Sequence, residues 1–235
     1  DIITYHEQKQ ADITLVCHNE KIGNASNYTV VCTDESGRIT DIEANQAGLG
    51  SSKYYSNIMV MNRTFLLNII NDAVVHGYKS FSEDILRKNI KSLKLYAYDF
   101  AGYHATIDSL SSYFTHNMEL LDKNVRDELF GNRDIYTKVR DSAPSKYGDG
   151  SEIKNSLISD GCVVEGTVEN SILFRGVKVG KGSVIKNSIV MQDTVIGENV
   201  QLNCVITDKN VVIRDRRNLS GCELQPYFLA KGTMI

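Results

Sequence analysis

The sequence predicts two parts, an N-terminal α/β domain and a C-terminal left-handed parallel β-helix of hexapeptide-like repeats. Two observations predict the β-helix: a short phrase that occurs four times, and aliphatic residues that recur every 16 residues. A third observation predicts the α/β domain, because strand-like and helix-like segments alternate before residue 131. A period of about 16 residues suits a coil with three faces and is too short for a repeat of two helices.

The recurring phrase places an asparagine before a serine or cysteine and then continues into aliphatic residues. Its copies start 15, 17 and 16 residues apart and read NSLISDG, NSILFRG, NSIVMQD and NCVITDK, from Asn155, Asn170, Asn187 and Asn203. Ordering 16 residues costs roughly 16–32 kcal/mol of backbone entropy, which one coil cannot offset by burying its few aliphatic side chains. Stability therefore requires several coils that share their apolar faces.

Three rows of aliphatic residues predict three short strands in each coil, and their common register disfavours an antiparallel meander. We expect the coils to occupy residues 151–213, close to four turns. The RDRRN segment at 214–218 is expected to interrupt them, and residues 228–235 to add a last strand over the open end. The rows are Val163, Val179, Val195 and Val211; Val168, Val184 and Val200; and Leu173, Ile189 and Val205.

The composition limits which classes of protein and which partners are plausible. The chain has 235 residues, 42% of them hydrophobic, and a net charge of −3, which is a globular composition large enough for two domains. It contains neither an apolar run of about 18 residues nor a recognisable export leader, so no membrane partner is predicted. Five cysteines without paired spacing predict reduced thiols and a cytoplasmic location. The mild acidity argues against nucleic-acid binding, and the RDRR cluster is too small to reverse this.

The first part of the chain alternates between the two kinds of secondary structure. Residues 131–150 lack periodicity, so the predicted organisation is 1–130, a partial α/β domain; 131–150, a linker; and 151–235, the β-helix. Because residue 1 is not methionine and the opening resembles the end of a helix running into a strand, we expect the chain to begin within a domain. Strands are predicted at 13–17, 28–33, 39–43, 54–61 and 93–100, and helices at 63–76, 82–90 and 108–122.

The positions of the histidines bear on the chemistry of the β-helix. Acyltransferases built on such a coil need a histidine as a base, and zinc enzymes built on it need several as ligands. Residues 151–235 contain none. The β-helix therefore lacks the histidine that either an acyltransferase or a zinc enzyme would need. The chain's five histidines are interpreted as surface or packing residues.

Several segments together resemble the glucose-1-phosphate adenylyltransferase (ADP-glucose pyrophosphorylase) family. They are, in order along the chain, HEQKQADIT, VVCTDESGRITDIE, YYSNIMVMNRTFL, DSLSSYFTHNMELL and the NS repeats. The resemblance implies that residues 1–130 are the C-terminal part of a Rossmann-like nucleotidyltransferase domain. It also implies a role in glycogen biosynthesis, where the family makes ADP-glucose and pyrophosphate from ATP and glucose 1-phosphate.

Three family motifs depart from their pattern in this chain. Ala44 stands where the family has a lysine for the sugar phosphate, and Tyr55-Ser56-Asn57 replaces the Ser-Met-Gly motif that contacts glucose. Thr106 stands where an aspartate helps to hold the metal, and Asp108, two places along, suits a helix N-cap better. Three such losses on one scaffold resemble the non-catalytic D-type subunits of the family.

This resemblance implies a regulatory subunit that forms a heterotetramer with a catalytic subunit. Mg²⁺ is then expected on the catalytic partner, with no cofactor or metal ligand in this chain. Glu43 and Asn57 are the remaining substrate-binding candidates, and Lys209 and Lys231 are candidates for a phosphorylated effector, with solvated surface lysines as the alternative. Two other functions stay open: an active nucleotidyltransferase that uses Glu43, Asn57 and Asp108 as substitutes, and a β-helix interaction module or self-associating protein without catalysis.

Overall fold

The computed structural model describes residues 2–21, 29–44, 51–131, 135–137 and 140–235. The chain forms two compact units, residues 1–102 and residues 103–235. Residues 103–130, which the sequence assigns to the first domain, belong to the second unit. Each unit has its own hydrophobic core.

The first unit is a five-stranded mixed sheet. Only β1 and β5 are parallel, and the other neighbouring strands run antiparallel in the order β3-β2-β4-β1-β5. All five predicted strands are confirmed within the described residues, and Tyr28, the predicted start of the second, lies outside them. The DESGR segment turns between β2 and β3 as expected, with Gly37 in the left-handed region at φ 83°. Helix α1 (Ile2–Lys9) precedes the strands, which are β1 (Ile13–Lys21), β2 (Thr29–Thr33), β3 (Ile39–Ala44), β4 (Ser51–Met61) and β5 (Leu95–Asp99).

Helix α2 (Arg63–His76) begins and ends where the sequence predicts. The Asn62 side chain accepts a hydrogen bond from the Thr64 N–H at 2.8 Å, and Gly77 ends the helix at φ 67°. The next helix, predicted at 82–90, is instead a π-helical turn at Phe81–Leu86 followed by a 3₁₀ turn at Arg87–Asn89.

Asp84 contacts the backbone at the start of that segment. Its carboxylate accepts hydrogen bonds from the backbone N–H groups of Lys79 and Ser80 and pairs with Lys88 at 2.8 Å. These partners, Lys88 first, lower the pKa of Asp84 to about 2. The side chain therefore fixes the backbone that leads into the first turn, which Ser80 caps by accepting the Glu83 N–H.

The helix predicted at 108–122 is α3 (Leu110–Glu119), and a further helix that the sequence analysis did not predict, α4 (Lys123–Phe130), follows it. The chain breaks because the Asp122 carboxylate accepts from the Asn124 N–H and caps a new helix. Ser109, rather than Asp108, is the N-cap of α3 and forms a capping box with Ser112.

Three five-stranded parallel sheets form the faces of the β-helix. The first strand, β6, lies inside the range predicted as linker. The first face contains β6 (Lys146–Tyr147), β9 (Val163–Val164), β12 (Lys178–Val179), β15 (Val195–Ile196) and β18 (Val212–Ile213). The second contains β7 (Glu152–Lys154), β10 (Thr167–Glu169), β13 (Val184–Lys186), β16 (Gln201–Asn203) and β19 (Asn218–Ser220). The third contains β8 (Leu157–Ile158), β11 (Ile172–Leu173), β14 (Ile189–Val190), β17 (Val205–Thr207) and β20 (Tyr227–Leu229).

The predicted aliphatic rows at 16-residue steps are wrong in register. On the first face the paired residues are 15, 17 and 17 apart, so Val179 faces inward with Val164 rather than with Val163. Val195, from the predicted row, is 37% exposed, whereas its neighbour Ile196 is buried. A slip of one residue moves a strand side chain to the opposite face, so an averaged period misassigns half of the strands. The inward row of the second face is Val168, Ile185, Leu202 and the partly buried Leu219.

Residues 151–213 form about four coils, as predicted, and strands before and after this range bring each face to five strands. The RDRRN segment does not interrupt the coils, because residues 214–217 form a corner that leads into β19. Strand β20 is the fifth strand of the third face, and Met234 bridges to Val212 on the first face. The predicted last strand therefore continues the coils.

The NS phrase corresponds to one corner of each coil. Asn155, Asn170 and Asn187 adopt left-handed conformations at φ 43–46°, which asparagine tolerates better than most residues. In the next coil the register advances by 17, so Cys204 takes this position at φ 51° rather than Asn203. The serines form a ladder, since each hydroxyl accepts a backbone N–H from the coil above: Ser171 to Ser156, Ser188 to Ser171, and Val205 to Ser188.

Replacing Ser188 by alanine should lower the free energy of unfolding by about 1–3 kcal/mol, because the buried Val205 N–H then loses its acceptor. Ser188 is fully buried, and its hydroxyl also donates to the Lys186 carbonyl at 2.6 Å. Urea unfolding followed by circular dichroism measures the change. Ser156→Ala is the matched control, because Ser156 is only partly buried and water can replace its hydroxyl. Equal losses in both variants would contradict the greater cost expected for the buried Val205 N–H.

Candidate functional site

The two substrate-binding candidates lie in the first unit but are not brought together. Glu43 is half-buried on β3, opposite Val30 of β2. Asn57 is exposed on β4 in the left-handed region at φ 57°, where the pairing with β1 is irregular. Strand β2 separates β3 from β4, so the two backbones are about 10 Å apart across the sheet. Glu43 and Asn57 therefore do not form one compact binding site.

An ion pair that the sequence analysis did not predict joins the two strands on either side of β1. Lys53 on β4 pairs with Asp99 at the end of β5, with an Nζ–Oδ1 distance of 2.7 Å, and its side chain is 17% exposed. Its Nζ also donates to the Thr33 hydroxyl at 3.5 Å. Because this ammonium already has a carboxylate partner, binding an anion there would compete with an existing ion pair. Only the pairing of β1 with both β4 and β5 brings these residues together.

Cys17 and His18, on β1 between these strands, have buried side chains. Burial raises the pKa of the Cys17 thiol to about 12, so the thiol stays protonated and is a poor nucleophile. The His18 Nδ1 lies 3.0 Å from the hydroxyl of Ser56, in the segment that replaces the family's glucose-contact motif. These contacts serve the packing of the sheet.

Thr106, at the position of the family's metal-holding aspartate, and Asp108 lie in the second unit. Thr106 is half-buried, whereas Asp108 is exposed and accepts a hydrogen bond from the Ser112 hydroxyl at 3.0 Å. Asp108 is therefore engaged at the start of α3. Within the described ranges, no three histidine, cysteine, aspartate or glutamate side chains are grouped to hold a metal ion.

A polar cluster that the sequence analysis did not predict holds Tyr103, the first residue of the second unit. The Tyr103 hydroxyl donates to the Glu119 carboxylate, which also contacts His116 Nδ1 at 2.9 Å. The Tyr103 backbone N–H donates to Glu128 on α4. Burial and the neighbouring Glu119 raise the pKa of Tyr103. The cluster ties the segment before α3 to both helices.

The structure brings the two effector candidates together. Both lysines are exposed, and the Gly232 N–H donates to the Lys209 carbonyl at 3.0 Å. Thr207 pairs with Leu229, and Val212 with Met234, so Lys209 and Lys231 occupy equivalent positions in successive coils. Their backbones are therefore about 4.8 Å apart. Spacing along the sequence could not reveal this, because the last coil is five residues longer than the preceding 17-residue steps.

The corner ladder of this edge extends to three earlier coils. Asn210 N–H donates to the Gln192 carbonyl, Asp193 N–H to the Arg175 carbonyl, and Gly176 N–H to the Asp160 carbonyl. The column therefore has five members, of which three carry a positive charge and the first carries a negative one: Asp160, Arg175, Gln192, Lys209 and Lys231. Ion pairs to these three cations are absent among the residues that the structure describes. The column offers a cationic strip on the corner of the β-helix.

None of the described helices combines the length and the apolar character that crossing a lipid bilayer requires.

Comparison with protein families agrees with the observed coils. The family model described as "GlmU-like, C-terminal hexapeptide" matches residues 142–223, which begin just before β6 and end in the fifth coil. The chain is thus a hexapeptide-repeat protein with a left-handed β-helix after an α/β domain, and the predicted fold class is confirmed.

Relatives that match most of the chain identify the family. The chain is 45% identical over 74% of its length to the glycogen biosynthesis protein GlgD of Bacillus subtilis, covering 51% of that protein. It is 38% identical over 77% of its length to the glucose-1-phosphate adenylyltransferase of Thermotoga maritima, covering 44%. It is 31% identical over its whole length to the glucose-1-phosphate adenylyltransferase of Acetivibrio thermocellus, covering 57%.

The chain belongs to the glucose-1-phosphate adenylyltransferase family, and its similarity to the GlgD proteins supports the D-type resemblance. It spans about half the length of the curated relatives that it matches.

Proposed function

We propose that this chain is part of a regulatory, catalytically deficient subunit of glucose-1-phosphate adenylyltransferase in glycogen biosynthesis. One observation carries the proposal: Ala44 stands where the family places the lysine that binds the sugar phosphate. The similarity to GlgD supports it. A neutral methyl group offers a phosphate neither charge nor a hydrogen bond. The exposed position of Asn57 and the engagement of Asp108 at the start of α3 give further support.

In this proposal the protein acts through a catalytic partner in a heterotetramer in the cytoplasm. The partner provides the Mg²⁺ site and the groups that stabilise charge during attack on the α-phosphate of ATP. This chain contributes its folded scaffold and the response to a phosphorylated effector.

The complete protein alone is expected to form no ADP-glucose, whereas adding it to a catalytic subunit should change the rate or the effector response of that subunit. Coupled release of pyrophosphate measures both quantities, and native mass spectrometry reports whether the two subunits assemble. Substantial activity of the isolated protein, with magnesium-dependent binding of glucose 1-phosphate, would favour an active nucleotidyltransferase instead. Unchanged kinetics without assembly would favour a non-catalytic interaction module.

The effector proposal places Lys209 and Lys231 at the binding site. Two ammonium groups on neighbouring coils match a ligand that carries one or more phosphates. Replacing both by glutamine should weaken the response of the assembled enzyme to a phosphorylated sugar by about tenfold, because each loses a charge-assisted hydrogen bond. The effector concentration for half-maximal response is the readout. Lys178→Gln with Lys181→Gln, two exposed lysines elsewhere on the β-helix, is the control with equal charge change. An equal shift in both double variants would contradict this placement.

A further inference from the structure

Two of the five cysteines lie at one corner of the β-helix, on successive coils. The Cys204 N–H donates to the Lys186 carbonyl of the coil below, and the Gly221 N–H donates to the Asn203 carbonyl in the same way. Gly221 therefore takes the corner position directly above Cys204. Cys222 is the next residue of the chain.

Cys222 stays close to this corner because a short turn begins there. Cys222 and Gln225 exchange two backbone hydrogen bonds of 3.1 and 3.0 Å, and the Tyr227 N–H donates to the Cys204 carbonyl at 3.0 Å where the chain returns. Neighbouring coils are about 4.8 Å apart and consecutive Cα atoms about 3.8 Å apart, so the Cα atoms of Cys204 and Cys222 are about 6 Å apart. Disulfides join residues whose Cα atoms are about 4.4–6.8 Å apart. The backbone spacing therefore suits a disulfide.

The Cys204 thiol lies among groups that contact the fifth coil. Its Sγ is 3.9 Å from Asn203 Oδ1, and the Asn203 Nδ2 donates to the Ser220 hydroxyl of the fifth coil at 3.5 Å. Burial, and after it the charges of Glu223 and Cys222, raise the pKa of the Cys204 thiol. Cys204 therefore stays protonated, whereas Cys222 is exposed and is the thiol that an oxidant in solution reaches first.

The other three cysteines have no such neighbour. All five are free thiols. Cys17 on β1 and Cys32 on β2 are separated by β4, so their backbones are about 10 Å apart. Cys162 precedes β9 in the second coil, two coils below Cys204. Cys204 and Cys222 are therefore the one pair whose backbone spacing suits a bond.

We infer that Cys204 and Cys222 form a reversible disulfide when the protein meets a hydroperoxide. The Cys222 thiolate attacks one oxygen of hydrogen peroxide; an S–O bond forms, the O–O bond breaks, and the displaced hydroxide takes a proton and leaves as water. The Cys204 sulfur then attacks Cys222 Sγ and gives its proton to the hydroxide that leaves, so that an S–S bond replaces the S–O bond. Two thiols lose two electrons, and one peroxide is reduced to two water molecules.

The new bond lies at the place where the fifth coil contacts α3. The Ser111 hydroxyl donates to the Glu223 carbonyl at 3.3 Å, and Phe114 packs with Cys204. In the oxidised protein a covalent bond joins these two contacts, which the reduced protein holds only through separate coils. Disulfides of this transient kind are typical of redox-sensing sites in reducing compartments.

Peptide mapping without reducing agent tests this inference on the whole chain. The protein is treated with hydrogen peroxide, its remaining thiols are alkylated after unfolding, and trypsin releases Cys204 in peptide 187–209 and Cys222 in peptide 218–231. We expect a species with the summed mass of the two peptides less two hydrogen atoms, which dithiothreitol separates. Its yield should not change when the protein is diluted tenfold before oxidation, because the bond forms within one chain.

Two single variants assign the roles of the thiols. In Cys204→Ser, the oxidised Cys222 has no second thiol to react with, so trapping of its sulfenic acid by dimedone should rise about tenfold over the unmodified protein. Cys32→Ser removes an exposed thiol of the first unit and should leave both the joined peptides and the trapping unchanged. Oxidation of Cys222 to its sulfinic acid without joined peptides would overturn the inference. A yield that falls on dilution, or equal trapping in Cys204→Ser and the unmodified protein, would also overturn it.

Discussion

Replacing Ile185 by alanine should lower the free energy of unfolding by about 2–5 kcal/mol. Ile185 is fully buried on the second face, and its neighbours in the inward row are Val168 and Leu202. Removing its distal carbons leaves a cavity between stacked coils whose backbone ladders prevent collapse. Urea unfolding followed by circular dichroism gives the free energy.

Val184→Ala is the control that makes this experiment decisive. Val184 is the preceding residue of the same strand, but its side chain is only partly buried and points outward. We expect it to cost less than about 1 kcal/mol, since little apolar surface is newly exposed. A larger loss for Val184→Ala than for Ile185→Ala would restore the rows at 16-residue steps and refute the observed register.

Replacing Gly166 by alanine should destabilise the β-helix by about 3 kcal/mol or more, because the new methyl group has no room. A Cβ built on Gly166 would lie 2.3 Å from the Ser183 carbonyl oxygen and 3.0 Å from the Gly180 carbonyl oxygen. Both atoms belong to the backbone of the next coil, so relief requires the coils to separate locally. The loss should appear as a lower thermal midpoint and as faster proteolysis near this corner.

Gly148→Ala provides the matched control at the equivalent edge of the first coil. Its Cβ would meet the Glu165 side chain at 3.0 Å, and a flexible side chain can move away at little cost. A change of less than about 1 kcal/mol is expected, as for ordinary exposed positions. If Gly148→Ala were as harmful as Gly166→Ala, close contact with backbone would not explain the requirement for glycine.

The type of fold was predictable because its signals are periodic and local. Asn62 and Gly77 carry cap chemistry that depends on few neighbours, and they delimit α2 as predicted. The coil register was not predictable from an average period. The corner at Gly166 is two residues shorter than the same corner of later coils, and one residue in a strand decides which face a side chain occupies.

The candidate site was less predictable than the fold, because it depends on residues that only the tertiary structure brings together. Lys209 and Lys231 were separate candidates, and the stacking of the last two coils makes them neighbours. The Lys53–Asp99 pair joins strands far apart in sequence, which no motif spacing reveals. The RDRR segment was visible in the sequence, but its exposure and its place at the corner between β18 and β19 required the coil geometry.

Helix α3 contacts only part of the third face. Phe114 on α3 packs with Ile189 and Ile206, which lie on the outward side of the third and fourth coils. A protein made of equal steps can gain or lose one whole turn by duplication or deletion, since each turn contacts only its neighbours. Here a turn gained between those two coils would separate the residues beneath Phe114, whereas one gained near β6 would leave them adjacent. The helix thereby restricts where this domain can change its length during evolution.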